Sequence, residues 1–473
     1  MDEDHGGIED YIWAPRYLAL VRAAKEYKGR FPVHRIGASI AGPGALAFTP
    51  DCRYLATGGS NGVSLIDFLS GKRMRQLSWD GRLHGGVNSD VKDSQRVIRS
   101  VAFTLDGRAL IAGDRKGNIY VWDMATGSLR WYKDGTKKGE GHGDTGWPLS
   151  GAVVAASPEG SLVASSGGDG FVRGWDVMTG EMRGEVELAT AGRPYVPWRG
   201  APTFTYPYDR GRCSIYDVHN VRSWFGVHSL AFSPDGRWIA CGMGEFDDVV
   251  DPILAVDTRE WTAMNVAEFP VRRVPDYARD DRRTHEMAFK TTCQIGFSAD
   301  GRWLVTCGGE GARAYEVVVK MVCEGNRERE RLRLAGGGII GYDLRKELEE
   351  GWDAKKGGTG GAQGATFLGK TGIVAILHEG GLVEGIHIED VAHACGGRLG
   401  RLEKPINPGG TVQLATNEIV ESVVPLFVAA SNPDDFNMGL DGSIAASADG
   451  RWLCVGSEHR GCIIIDLALS YTR

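Results

Sequence analysis

Val97–Trp131 reads VIRSVAFTLDGRALIAGDRKGNIYVWDMATGSLRW, and this stretch decides the fold. Val101 and Phe103 alternate with their neighbours, as a half-buried strand requires. Asp106-Gly107 is a turn signal, and Ala109–Gly113 then supplies a second apolar strand. Lys116-Gly117 turns the chain again before Ile119-Tyr120-Val121-Trp122-Asp123. Thr126-Gly127 gives a third turn, and Ser128–Trp131 starts a fourth strand. Four short antiparallel strands make one sheet whose apolar face has nothing to cover it. Stacking several such sheets around an axis would bury both faces of each.

The plan recurs. Ala47-Phe48-Thr49-Pro50-Asp51, Ala231-Phe232-Ser233-Pro234-Asp235-Gly236 and Gly296-Phe297-Ser298-Ala299-Asp300-Gly301 are further copies of the first strand and its turn. Ala156-Ser157-Pro158-Glu159-Gly160 and Ala446-Ser447-Ala448-Asp449-Gly450 are weaker ones. The first two intervals, Phe48 to Phe103 and Phe103 to Ala156, span 55 and 53 residues, whereas the last, Phe297 to Ala446, spans 149. That last interval holds room for a degenerate copy around Ile373–Leu377 and Leu382–Ile388, which makes seven units. Ser214–Val218 and Ile339–Leu344 also read like the ends of third strands, so eight units stands as the alternative.

With these residues in view, the chain resembles the WD40-repeat β-propellers over roughly residues 32–470. Trp122-Asp123 and Trp175-Asp176 match the family's terminal dipeptide, and Ile66-Asp67, Val256-Asp257, Tyr315-Glu316 and Ile465-Asp466 stand where weaker copies would carry it. The resemblance implies an all-β propeller of four-stranded antiparallel blades, most simply seven. It also implies a structural hydrogen-bonded network in which Asp169 caps a turn and Ser165 and Trp175 join it, with His142 in reach to complete it. Trp122 and Asp123 are the matching positions of the preceding unit.

Composition bounds the rest. The formal net charge is -7, and no basic excess marks a nucleic-acid surface. No run of 18 apolar residues is present, so no membrane span is expected. The nine cysteines include no C-x-x-C pair, and Cys241, Cys307 and Cys454 sit in or beside apolar runs. The acidic, polar start Met1–Asp10 lacks the apolar core of a signal peptide. These features together suggest a reduced intracellular setting, cytoplasmic or nuclear.

Three insertions interrupt the repeats. Leu188–Arg212 is rich in proline and aromatics and reads as a loop or as part of a degenerate unit. Trp261–Lys290 carries the charge cluster Arg279–Arg283, and Met321–Gly361 carries the charged run Arg327–Arg331. In the latter, Leu344–Glu350 could form a short helix, and Gly357–Gly361 reads as a flexible link. Residues 1–31 form an N-terminal extension with a weak helical pattern at Leu18, Val21 and Ala24.

Gly364–Thr371 matches the phosphate-loop pattern G-x-x-x-x-G-K-T. Such a loop needs a buried strand before it and a helix after it, and the β-branched run Ile373–Leu377 that soon meets Gly380-Gly381 is a poor helix. His387, Asp390 and His393 are too loosely spaced to make a convincing metal set. No catalytic residue, cofactor or metal is therefore assigned. The expected function is a protein-interaction scaffold or complex subunit with protein or peptide partners, no direct nucleic acid and no membrane. The alternative is a propeller enzyme or small-ligand binder that uses the mouth of the central channel.

Overall fold

The structure is a computed structural model. It describes residues 33–36, 45–60, 62–78, 97–135, 151–167, 169–188, 227–243, 253–266, 294–308, 311–324, 327–342, 361–378, 381–389, 427–430, 443–457 and 461–467. Its strands form seven four-stranded antiparallel sheets. Blade 1 is Leu46–Phe48, Leu55–Gly59, Gly62–Asp67 and Lys72–Leu77; blade 2 is Ile98–Phe103, Ala109–Asp114, Ile119–Asp123 and Leu129–Lys133. Blade 3 is Val153–Ala156, Leu162–Ser166, Phe171–Asp176 and Met182–Glu187; blade 4 is Val227–Phe232, Trp238–Met243, Ile253–Asp257 and Thr262–Asn265. Blade 5 is Gln294–Phe297, Trp303–Gly308, Gly311–Glu324 and Arg327–Ile340; blade 6 is Ala362–Phe367, Ile373–His378, Leu382–His387 and Phe427–Ala430. Blade 7 takes Ser443–Ala446, Trp452–Ser457 and Gly461–Asp466 from the end of the chain and Val33–Ile36 from its start. Val33 lies opposite Ile465 and Ile36 opposite Cys462, so the last blade is closed by the first strand.

The repeated Ser/Thr-x-Asp stretch explains why the chain turns where it does. The hydroxyls of Thr49, Thr104, Ser233 and Ser298 donate to Asp51, Asp106, Asp235 and Asp300 at 2.5–2.6 Å, and Ser447 donates to Asp449 in the same way. Each hydroxyl accepts in return from a backbone N–H five residues on, at Tyr54, Ala109, Trp238, Trp303 and Trp452. This local bonding pins the turn between first and second strands without drawing on distant parts of the chain. Gly107, Gly160, Gly236, Gly301 and Gly450 close these turns at φ 68–73°, a region where a side chain clashes with its own backbone. Blade 1 puts Cys52 in that place, at φ 56°.

The core lies between the sheets. Among the described residues, seven apolar clusters each draw on two neighbouring blades, from Leu65, Leu77 and Trp122 between blades 1 and 2 round to Cys454, Ile464 and Leu55 between blades 7 and 1. A sheet stacked on both sides has no solvent face left to cover, which is how the ring removes the exposed surface of a lone four-stranded sheet. The first strands of successive blades lie side by side all the way round, so they line the central channel.

The degenerate unit inferred around Ile373–Leu377 is blade 6. The eight-unit alternative loses one of its two supports. Ile339 and Ile340 belong to the fourth strand of blade 5, paired with Arg313 and Ala312. The other, Ser214–Val218, lies outside the described residues, as do residues 1–31, His142, Asp390, His393, Arg279–Arg283, Leu344–Glu350 and most of Leu188–Arg212. Two insertion boundaries need correction. Thr262–Asn265, within Trp261–Lys290, is the fourth strand of blade 4. Arg327–Ile340, within Met321–Gly361, is a 14-residue strand paired with Gly311–Glu324 along its length.

Candidate interaction surface

The residues that the sequence picks out for the repeat network sit inside the blades. In blade 3 the Trp175 indole N–H donates to Ser165 Oγ at 2.7 Å, both buried. Asp169 accepts from the Phe171 N–H at 3.2 Å and pairs with Arg173 at 2.6 Å. Arg173, itself buried, also holds Glu185 at 2.6 Å. In blade 2, Trp122 is buried but its indole N–H finds no acceptor among the described residues. Trp175 lies opposite Val163, two residues before Ser165; Trp122 lies opposite Leu110, two residues before Ala112. An alanine therefore stands where blade 3 carries the hydroxyl. The carboxylate in blade 2 is instead Asp114, which the sequence reading missed. It accepts from Lys116 N–H, from Asn118 N–H and Nδ2, and from the Tyr120 hydroxyl. Burial raises its pKa, with those bonds opposing the rise.

Asp123 and Asp176 cap the turns into the fourth strands. Asp123 accepts from the Thr126 N–H at 2.9 Å and pairs with Arg130 at 2.7 Å. Asp176 pairs with Arg183 at 2.6 Å and accepts from Met178 and Thr179 N–H. The backbone bond from Thr126 first, then Arg130, holds Asp123 at about 2. Arg183 first, then Thr179, holds Asp176 at about 2.

Gly364–Thr371 folds as the end of a strand and a β-turn. Thr371 N–H donates to Leu368 C=O, Leu368 N–H to Ile373 C=O, and a further strand follows. Those turn amides are spent within the turn, so the cradle of a phosphate loop is not formed. His387 accepts from Glu389 N–H at 3.3 Å. Among the described residues no three His, Cys, Asp or Glu side chains gather as a metal site would need.

Two places on the ring present functional groups. The first is the channel. The first strands of blades 2, 4 and 6 each carry an irregularity at the same point, between Ile98 and Ser100, Val227 and Ser229, and Ala362 and Gly364. Arg99, His228 and Gln363 are the residues left out of the ladder, and a bulge of this kind re-aims a side chain. Burial inside the ring, with the charge of Arg99 as the smaller contribution, pulls the His228 imidazole down to about 4, so it is neutral at pH 7.

The second place is the blade 5 hairpin. Only Gly311–Glu316 of its third strand pair with the second strand, yet the hairpin strands run for 14 residues each, against four to six in the other strands of that blade. The excess lies against blade 4. Leu334 N–H donates to Val266 C=O at 2.9 Å, and Leu332 is buried in the cluster shared with Trp238 and Met264. A cleft of about 350 Å³ remains between hairpin and blade, walled by Arg237, Asp257, Glu260, Met321, Arg329 and Glu330 among others. Arg237 bridges Asp257 at 3.1 Å and Glu330, its guanidinium stacked 4.4 Å above the Trp238 ring. Arg329 holds Glu260 at 3.1 Å. Alternation in Arg-Glu-Arg-Glu-Arg-Leu-Arg-Leu was the sequence signal for this strand, masked because most of its positions are charged.

Comparison with known proteins bears on these surfaces. The family model described as WD domain, G-beta repeat, matches residues 90–123, 139–176 and 213–249. The chain is 28% identical over 138 residues to WD repeat-containing protein SL1-17 of Schistosoma mansoni, covering 29% of this chain and 37% of that one. It is 25% identical over 208 residues to Protein groucho of Drosophila melanogaster, covering 42% of this chain and 26% of that one. The matched region thus spans well under half of either relative. Among solved structures, the β-propeller domain of Cps50 (Swd1) from Myceliophteria thermophila superposes with a TM-score of 0.54 at 10% identity, over 93% of this chain and 100% of that one. At that identity the likeness is one of fold.

Proposed function

Because the chain is a diverged member of the WD40-repeat β-propeller family, we propose that it acts as a protein-interaction scaffold, a complex subunit that holds protein or peptide partners on the blade 5 hairpin and its cleft. One observation carries this reading: the hairpin runs far beyond what its own blade uses. Rigid rings commonly present specificity on such additions. Burial of the thiols Cys241, Cys454 and Cys462 supports a reduced intracellular setting. The test is affinity capture with the intact chain and with a variant in which Lys320–Arg331 is replaced by a short glycine turn, which keeps Leu332 in its cluster. Stoichiometric partners recovered by the first and lost by the second, with unchanged melting of the ring, are expected. Identical partner sets would remove the hairpin from the reading, and no specific partner for the intact chain would end it.

A second reading rests on Arg99 and His228 at matching bulges of the channel. A small carboxylate-bearing ligand there would meet one fixed positive charge and one neutral imidazole. Its test is loss of binding in the Arg99→Ala protein.

A further inference from the structure

The polarity of the blade 5 hairpin follows from two hydrogen bonds. Val317 N–H donates to Arg302 C=O, away from the hairpin partner, and Leu334 N–H, opposite Val317, donates to Val266 C=O on the other side. In an antiparallel ladder the outward residues alternate. Val319, Met321 and Cys323 therefore turn both backbone groups to the edge that blade 5's second strand occupies only as far as Arg302. Among the described residues nothing pairs with that edge, and Val319, Met321 and Cys323 are exposed. Cross-strand pairing also sorts the side chains. Val319, Met321 and Cys323 share a face with Leu332, Glu330 and Glu328, whereas Val318, Lys320 and Val322 share the other with Arg333, Arg331 and Arg329. On that second face the polar residues are all basic; Lys320 and Arg333 are exposed, and Arg329 reaches Glu260 of blade 4.

We infer that this open edge takes an extended, acidic segment of a partner protein as an added strand, in which carboxylates alternate with apolar residues. Main-chain pairing at Val319, Met321 and Cys323 supplies the hold. Because side chains of an added strand alternate, every second one falls on the face of Lys320, its direct neighbour, where opposite charge across a strand pair is favourable, with the arginine row one strand further in. The residues between fall beside Val319 and Met321 and cover them. The occupant is chosen by charge complementarity: a second copy of this strand would bring Lys320 towards another Lys320, and Val318, Val322 and the arginines paired with them carry no carboxylate to offset it. The inference rests on the scaffold reading and specifies its partner.

The probe is a fluorescent ten-residue peptide of alternating glutamate and valine, with the lysine–valine peptide as its reverse, titrated against the full chain. Saturable binding of the acidic peptide, weakened by added salt, is expected, and none of the basic one. Met321→Pro removes one outward N–H and leaves the N–H groups that bond within the hairpin, so it should weaken binding about tenfold at unchanged melting temperature. Lys320→Glu should do the same. Absence of acidic-peptide binding, or binding indifferent to both variants, overturns the proposal. So does a free protein that sediments as a dimer and becomes a monomer on Met321→Pro, since the edge would then belong to a second copy. Partners that need the hairpin but ignore Met321→Pro leave the scaffold reading standing and remove only this edge.

Discussion

Cys52 sits at φ 56° in the turn position that glycine fills in most of the other blades. A left-handed residue with a β-carbon costs roughly 1–2 kcal/mol, partly offset by the greater freedom glycine has when unfolded. Cys52→Gly should therefore raise unfolding stability by up to about 1 kcal/mol in chemical denaturation. Unchanged or lower stability would mean that the strain is relieved elsewhere. Trp122 poses the complementary case. Ala112→Ser would place a hydroxyl where Ser165 serves Trp175, and should add about 1 kcal/mol by giving the buried indole N–H an acceptor. Acid should act through Asp123 and Asp176. Both titrate at about 2 in the fold against an ordinary 3.8, so the stability they add is complete above pH 4–5 and is lost as pH falls through 3.8 towards 2. The Asp123→Asn, Asp176→Asn double variant should show a shallower fall in melting temperature between pH 5 and pH 2. A slope equal to the parent's would count against these turns.

At the scale of single elements, Trp261 shows how one residue couples two blades. It takes the left-handed turn position at φ 51°, and its ring lies over Gly174 and Gly184 of blade 3, where an added β-carbon would come within 2.1 Å of it. Gly174 and Gly184 are cross-strand partners, so together they make a flat seat. Gly184→Ala should evict the indole and lower stability by about 1–3 kcal/mol, read by melting and by Trp261 fluorescence against a Trp261→Phe control. This pairing was out of reach of the sequence, because Trp261 and Gly184 belong to different repeats and only the ring brings them together. The strands themselves were legible where one face is apolar: Val101 and Phe103 alternate, and Asp106-Gly107 marks the turn. Blade 5's long fourth strand was not, because Arg327–Arg331 alternates two signs of charge rather than apolar with polar, which reads as a solvated loop. The bulges at Arg99, His228 and Gln363 were hidden for another reason: they exist only in the register between strands.

Across the whole molecule, the seven clusters make each blade depend on two neighbours, and the ring depends on Val33–Ile36 to complete blade 7. Deleting residues 1–36 should therefore lower the melting temperature well beyond the loss of four strand pairs, because it bares the outer edge of Gly461–Asp466. A ring that melts as before would show that this strand is dispensable. The Trp-Asp dipeptides announced the architecture in two repeats, while the blade count needed the structure, since blade 6 carries neither residue of that dipeptide and its turn is built on Thr371 and Gly372.

Joining the first strand to the last also sets a timetable for synthesis. Gly461–Asp466 leaves the ribosome about 430 residues after its partner Val33–Ile36, which at roughly 5–20 residues per second is on the order of 20–90 s. Through that interval Val33–Ile36 is unmated and the growing stack of blades is uncapped. Both need shielding until the two strands pair, so the yield should respond to chaperone supply more sharply than the final stability would suggest.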